Sequence, residues 1–185
     1  MKKNLLTFSL LALLQTISSG QGWHKYFTLG ITDITETKDG GYLATGYDYW
    51  DTTLLKLDSR GEILKTKTLK NYRGFGWGIT QIPSGGFVNG SSADNHILYQ
   101  LDEQLNVLKS LNLVNNIEYY NPQDIDITKN GNIYFTQSTS LTVTHRFEKV
   151  AFIKQYKRIF DVVEKDGNLE LYVESTLGKD RKSVV

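Results

Sequence analysis

Apolar residues recur along this chain in short alternating or continuous stretches, each interrupted by a glycine-bearing turn, and the arrangement repeats four times. Ile34 to Gly46 carries Asp39-Gly40-Gly41 between two such stretches, and Ile79 to Gly90 carries Ser84-Gly85-Gly86. Ile125 to Gln137 carries Asn130-Gly131-Asn132, and Asp161 to Glu174 carries Asp166-Gly167-Asn168. A period of two with frequent β-branched and aromatic residues is the period of a strand, and no amphipathic helix is legible after residue 20. Each turn glycine supplies the positive φ that a tight hairpin connection needs.

Every repeat has a second half. Leu54-Leu55-Lys56-Leu57-Asp58-Ser59-Arg60-Gly61-Glu62-Ile63-Leu64-Lys65 matches Ile97 to Lys109 and, more loosely, Val143 to Lys149 followed by Phe152-Ile153-Lys154. Each unit therefore has four strands. The turn glycines Gly40, Gly85, Gly131 and Gly167 are 45, 46 and 36 residues apart, close to the ~40–45 residues of one propeller blade. The expectation is an all-β chain: a β-propeller of four-stranded antiparallel blades, with units at about 31–70, 76–113, 122–158 and 159–179, the last one half complete. Trp23 to Leu29 aligns with the last strand of a unit, so it is expected to be a displaced outer strand that completes the final blade.

Asp39 to Gly46 and Leu54 to Ile63 together resemble the repeat of secreted bacterial β-propeller proteins. The resemblance spans residues 21–179. It is closest in the first two units; in the others Asn130-Gly131-Asn132 and Asp166-Gly167-Asn168 replace Asp-Gly-Gly, and Phe147-Glu148 stands where Leu-Asp is expected. It implies a fold and export, and leaves function to be argued from the site, because propellers host many activities.

The two ends read differently from the middle. Lys2-Lys3, the apolar stretch Leu5 to Leu14 and Ser18-Ser19-Gly20 form the three regions of a secretory signal peptide over residues 1–20. The alternative, a membrane anchor, needs about 20 apolar residues, more than this stretch provides. Asp180 to Val185 fits no strand or sorting pattern and resembles the translation of a short-read sequencing adapter. The expectation is a non-native tail on a protein whose further blades lie downstream.

The chain has 21 basic and 20 acidic residues, and without Lys2 and Lys3 the net charge is −1. Nucleic-acid binding draws on a concentrated basic excess, which is absent. With no cysteine, there is neither a disulfide framework nor a lipid-anchor cysteine. Gly74-Phe75-Gly76-Trp77-Gly78 lacks the following helix of a phosphate loop. His24, His96 and His145 have no metal-ligand spacing, and Asp48 with Asp51 falls short of a calcium ligand set, so no cofactor or metal is expected.

In a four-stranded meander the tight turns share one side of the disc. The other connections, Tyr47 to Asp51, Asn71 to Trp77, Ser91 to Asn95, Asn115 to Asn121 and Gln137 to Ser140, share the opposite side and are rich in aromatic and amide residues. Tyr49, Trp50, Tyr72, Trp77, Tyr119 and Tyr120 are the candidate ligand-binding residues, since exposed aromatic rings stack on sugars or peptides. The expected function is a secreted or cell-surface binding or scaffold module with a glycan or peptide ligand. A propeller-type glycoside hydrolase or lyase is the alternative, with Asp48, Asp51, Asp94 and Glu118 as candidate carboxylates, though spacing selects no pair.

Overall fold

The computed structural model describes residues 23–92, 96–113, 124–136, 140–155, 158–165, 168–175 and 178–184. They contain β strands and no helix, arranged as four sheets in chain order. The first unit is β1 (Gly30–Glu36), β2 (Tyr42–Asp48), β3 (Asp51–Leu57) and β4 (Ile63–Arg73). The second is β5 (Phe75–Gln81), β6 (Phe87–Ser92), β7 (His96–Leu101) and β8 (Val107–Asn112). The third is β9 (Asp124–Ile127), β10 (Ile133–Thr136), β11 (Ser140–His145) and β12 (Lys149–Gln155). The fourth holds β13 (Arg158–Lys165), β14 (Asn168–Ser175) and β15 (Gly178–Val184). Within each sheet, neighbours in sequence are antiparallel neighbours in space, so every unit is a meander.

The first turn of each of the first three units closes in the same way. The N–H of Thr37 donates to the Gly41 carbonyl at 2.9 Å and that of Gly40 to Thr37 at 2.8 Å, with equivalents at Ile82/Gly86/Gly85 and Thr128/Asn132/Gly131. The second turn is built on an aspartate. The Asp58 carboxylate accepts the N–H groups of Arg60 and Glu62 at 2.8 and 2.9 Å, and Asp102 accepts the N–H and Nδ2 of Asn106 at 2.7 and 2.9 Å. These donors hold both carboxyls below the usual carboxylate range.

The core lies between units rather than within them. Leu43, Leu54 and Leu69 of the first unit meet Ile79, Phe87, Tyr99, Leu101 and Leu105 of the second. The opposite face of the second unit, Trp77, Val88 and Leu98, meets Ile125, Ile133 and Phe135 of the third. Tyr134, Leu141 and Val143 then meet Ile159, Leu169, Leu171 and Val173. A sheet apolar on both faces reads as continuous apolar pairs instead of alternation. Leu54-Leu55, Phe87-Val88 and Leu98-Tyr99 each send one residue to either neighbour, and all six are buried.

Residues 23–29 alternate partly buried with exposed positions as a strand would, but among the described residues no strand pairs with them. Trp23, Phe27 and Leu29 instead lie on Ala44, Leu55 and Leu57, the face of the first unit turned away from the second. Trp23 meets Tyr42 edge-on at 5.4 Å, and Lys25 reaches Glu62 at 2.5 Å.

Three segments depart from the sequence reading, the first being Tyr47 to Asp51, a two-residue turn rather than a longer connection. Asn71 to Trp77 is not a loop: β4 runs to Arg73 and β5 begins at Phe75. The link is fixed through its main chain, the Gly74 N–H donating to Trp50 O at 2.7 Å and the Thr52 hydroxyl to Gly74 O at 2.9 Å. Residues 180–184, read as fitting no strand, lie in β15 and pair with Leu169 to Val173 of β14. Such a ladder uses main-chain groups alone, so it forms on an available edge whatever the side chains; it does not bear on the origin of that segment.

Candidate functional site

Two places concentrate chemistry. On the side opposite the glycine turns, β2 and β3 join through the two-residue turn Tyr49-Trp50, with Asp48 paired to Asp51. Tyr49 takes φ 54°, a conformation that hairpins of this length normally give to glycine or asparagine. Tyr49 is 87% and Trp50 67% exposed. The Trp50 ring is nevertheless braced. Its centroid is 5.7 Å from that of Phe75, which meets Tyr47 edge-on at 4.7 Å. Tyr47 in turn covers Gly30, where an added Cβ would stand 2.5 Å from the ring.

The other candidates fall apart. Trp77 is only 5% exposed; it stacks within 5.4 Å of Phe135 and over Gly90, so it is packing between units rather than a ligand surface. Its place in β5, on the face turned to the third unit, explains why an aromatic in a glycine-rich stretch reads as a loop residue. Tyr72 lies in β4. Tyr119, Tyr120, Asp94 and Glu118 are outside the described residues. Phe75, one of the aromatic residues of the long connections, and Tyr47, not singled out in sequence, complete the patch.

The second place is formed by the first strand of each unit. Asp33, Asp124 and Asp161 occupy equivalent positions of units one, three and four, with Gly78 at that position in unit two. Asp33 accepts the N–H groups of Ile34 and Ile79, both at 2.8 Å, so it ties one first strand to the next. Asp126 plays a similar part, accepting from the Ile127 N–H at 2.7 Å and from the Thr80 and Tyr134 hydroxyls at 3.1 Å each.

Burial pushes the Asp33 carboxyl up against the lowering effect of its two N–H donors. Asp124 is also raised, first by burial, then by the like charges of Asp33, Asp126 and Asp161. Burial and the Asp126 carboxylate raise the Tyr134 phenol well above its ordinary value. Such an arrangement holds a proton more readily than an isolated carboxylate does. Among the described residues, no three carboxylates or imidazoles come together to hold a metal ion. The sequence reading looked for carboxylates in the long connections and missed this set. Its signal was present in the recurring pairs Asp33-Ile34, Asp124-Ile125 and Asp161-Val162.

No helix among the described residues is long and apolar enough to cross a membrane. No protein-family model and no curated protein matches the chain. Solved structures do. A protein of unknown function from Bacteroides caccae superposes with a TM-score of 0.63 at 12% identity, over 88% of this chain and 63% of its own. A catalytically inactive virginiamycin B lyase from Staphylococcus aureus, solved with quinupristin, gives 0.58 at 17% identity, over 83% and 55%. The PQQ domain of pyranose dehydrogenase from Coprinopsis cinerea gives 0.57 at 14%, over 86% and 49%. This chain thus spans less than two thirds of each. At such identities the likeness is one of fold: four antiparallel units side by side form a partial, unclosed β-propeller.

Proposed function

We propose that this chain belongs to an exported propeller module that binds a glycan or peptide ligand through the side of the disc opposite its glycine turns. The observation that carries the reading is the turn Tyr49-Trp50: two exposed rings on a backbone held in an unfavourable conformation and braced by Phe75 and Tyr47. Strain of this kind persists where the surroundings impose it, and it clusters at binding sites. Aromatic rings also offer a large contact area at low entropic cost. The lysine pair and apolar stretch near the N-terminus support export.

The test is a glycan array and a peptide library screened with the protein, then with Tyr49→Ala/Trp50→Ala. Loss of the strongest hit by tenfold or more supports the reading; unchanged binding moves the ligand to another surface.

A second reading, a lyase or hydrolase, is favoured by the carboxylate set of Asp33, Asp124, Asp126 and Asp161, and by the lyase among the proteins of the same fold. In that reading Asp124, whose carboxyl is raised by its neighbours, holds the transferable proton. Turnover of any ligand found above, abolished by Asp124→Asn, would support it.

A further inference from the structure

The boundaries between units provide an internal comparison. Between the first and second, the Lys38 N–H donates across the groove to Gln81 Oε1 at 2.8 Å. Between the third and fourth, the equivalent Lys129 N–H donates to the Glu164 carboxylate at 3.0 and 3.1 Å. At the middle boundary the same two positions hold Pro83, which has no N–H, and Ile127, which has no acceptor. The latch is absent from both sides at once. A second lock is missing as well: Lys56 and Asp39 form a 2.8 Å ion pair in the first unit, whereas their counterparts in the second are Gln100 and Ser84.

A cavity of about 320 Å³ lies at this unlatched boundary, against about 280 Å³ at the first. Its apolar lining is Ile82, Val88, Ile127, Ile133 and Phe147. Its charged lining is Lys109 and Arg146, opposed by Glu148, a net charge of one positive. Among the described residues, neither cation is in an ion pair. Arg146 has a positive φ of 49°, fixed by its N–H donating to Asn132 Oδ1 at 3.1 Å and its carbonyl accepting from the Thr144 hydroxyl at 2.6 Å.

We infer that the groove between the second and third units is a binding site for a small apolar group ending in a carboxylate, with the apolar part on Ile127, Ile133 and Phe147 and the carboxylate at Arg146 and Lys109. The charge complementarity selects the occupant: an apolar floor alone accepts any hydrophobe, but a rim with excess positive charge discriminates by sign. A free organic acid and the C-terminus of a peptide both carry this chemistry.

The test is calorimetric titration of the protein with 4-phenylbutyrate and, separately, 4-phenylbutylamine. The expected result is saturable binding of the acid at least tenfold tighter than the amine, weakened tenfold or more by Lys109→Gln/Arg146→Gln and strengthened by Glu148→Gln. All three side chains are exposed, so folding is retained, and an unchanged Tm of each variant verifies this. A short peptide ending in phenylalanine, compared with its C-terminal amide, separates the two sources. Tighter binding of the free-carboxylate peptide than of phenylbutyrate assigns a peptide terminus, and the reverse assigns a free acid. Equal binding of acid and amine, no binding of either, or affinity indifferent to the double variant overturns the assignment.

Discussion

The carboxylate of Asp33 in β1 accepts the main-chain N–H of Ile79 in β5 at 2.8 Å, tying the first strand of one unit to the first strand of the next. Antiparallel hydrogen bonding ends at the edge of each sheet, so cohesion between units must come from side chains. Beside the apolar core, its polar part comes from Asp33 together with the Thr32 hydroxyl on Gly76 O at 2.5 Å, Asn89 Nδ2 on Thr45 Oγ1 at 2.8 Å, and the Thr52 and Ser91 hydroxyls 2.6 Å apart. Asp33→Ala leaves the N–H groups of Ile34 and Ile79 without their acceptor. It is expected to cost about 1–3 kcal/mol, seen as a lower midpoint in urea. Ile34 and Ile79 use different oxygens of Asp33, so Asp33→Asn keeps one acceptor but turns an NH2 towards the other N–H, and should recover at most about half of that loss. Full recovery by asparagine would mean that the two acceptor oxygens are not both needed.

Adjacent glycines in the first turn are needed for different reasons. Gly40 has φ 78° and open space around it, so Gly40→Ala is expected to cost the left-handed penalty alone, about 1–2 kcal/mol. At Gly41 an added Cβ would stand 2.3 Å from the Leu57 carbonyl oxygen, which is main chain and cannot swing away. Gly41→Ala should cost at least as much, about 2–3 kcal/mol. Gly86 combines both conditions, φ 77° and a Cβ position 2.2 Å from Leu101 O, so Gly86→Ala should cost more than either. Thermal unfolding of the four variants, with Gly85→Ala as the match to Gly40→Ala, measures this directly.

Much of this fold was legible because turn and period are local. Asp-Gly-Gly beside paired apolar residues needs no tertiary information to be read as hairpin and two-faced sheet. Trp77 was misread because whether an aromatic beside glycines is loop or core depends on the neighbouring unit, where Phe135 receives it. The carboxylates were missed because Asp33, Asp124 and Asp161 are far apart in sequence and only the stacking of units makes them neighbours. Leu105 marks a subtler limit. It takes φ 65° where Gly61 takes 78°, and its complete burial between units offsets a conformation that local preference opposes.

Asp124 sets a pH dependence whose sign follows from its raised pKa. The folded state holds the proton more tightly than the unfolded chain, so the contribution favours folding below the ordinary carboxylate value and is lost as pH rises through the folded value. Asp124→Asn removes the charge facing Asp33, Asp126 and Asp161 while keeping an acceptor for Ile125. Because Asp124 is sheltered by its neighbours on one side yet still meets solvent on the other, screening limits the gain to about 0.5–1 kcal/mol. The variant should melt a few degrees higher than the parent at pH 7, roughly 2–4 °C per kcal/mol, and no higher near pH 3. A gap that is the same at both pH values would remove charge repulsion as the cause.

Tyr49 sets stability against binding in one residue. Its φ of 54° costs a tyrosine about 1–2 kcal/mol, whereas asparagine enters this region readily. Its side chain is 87% exposed, so Tyr49→Asn loses little packing while relieving the backbone. The substitution should therefore raise the melting temperature and, if the side opposite the glycine turns is the binding surface, abolish ligand capture in the same protein. Trp50→Ala provides the contrast: it removes the ring braced on Phe75 but leaves the turn conformation unchanged, so binding should fall with no gain in stability. Melting curves and affinity measured on both variants separate the two roles. A Tyr49→Asn protein that melts lower than the parent would show that the tyrosine ring holds the hairpin in place, and that its backbone strain serves folding rather than recognition.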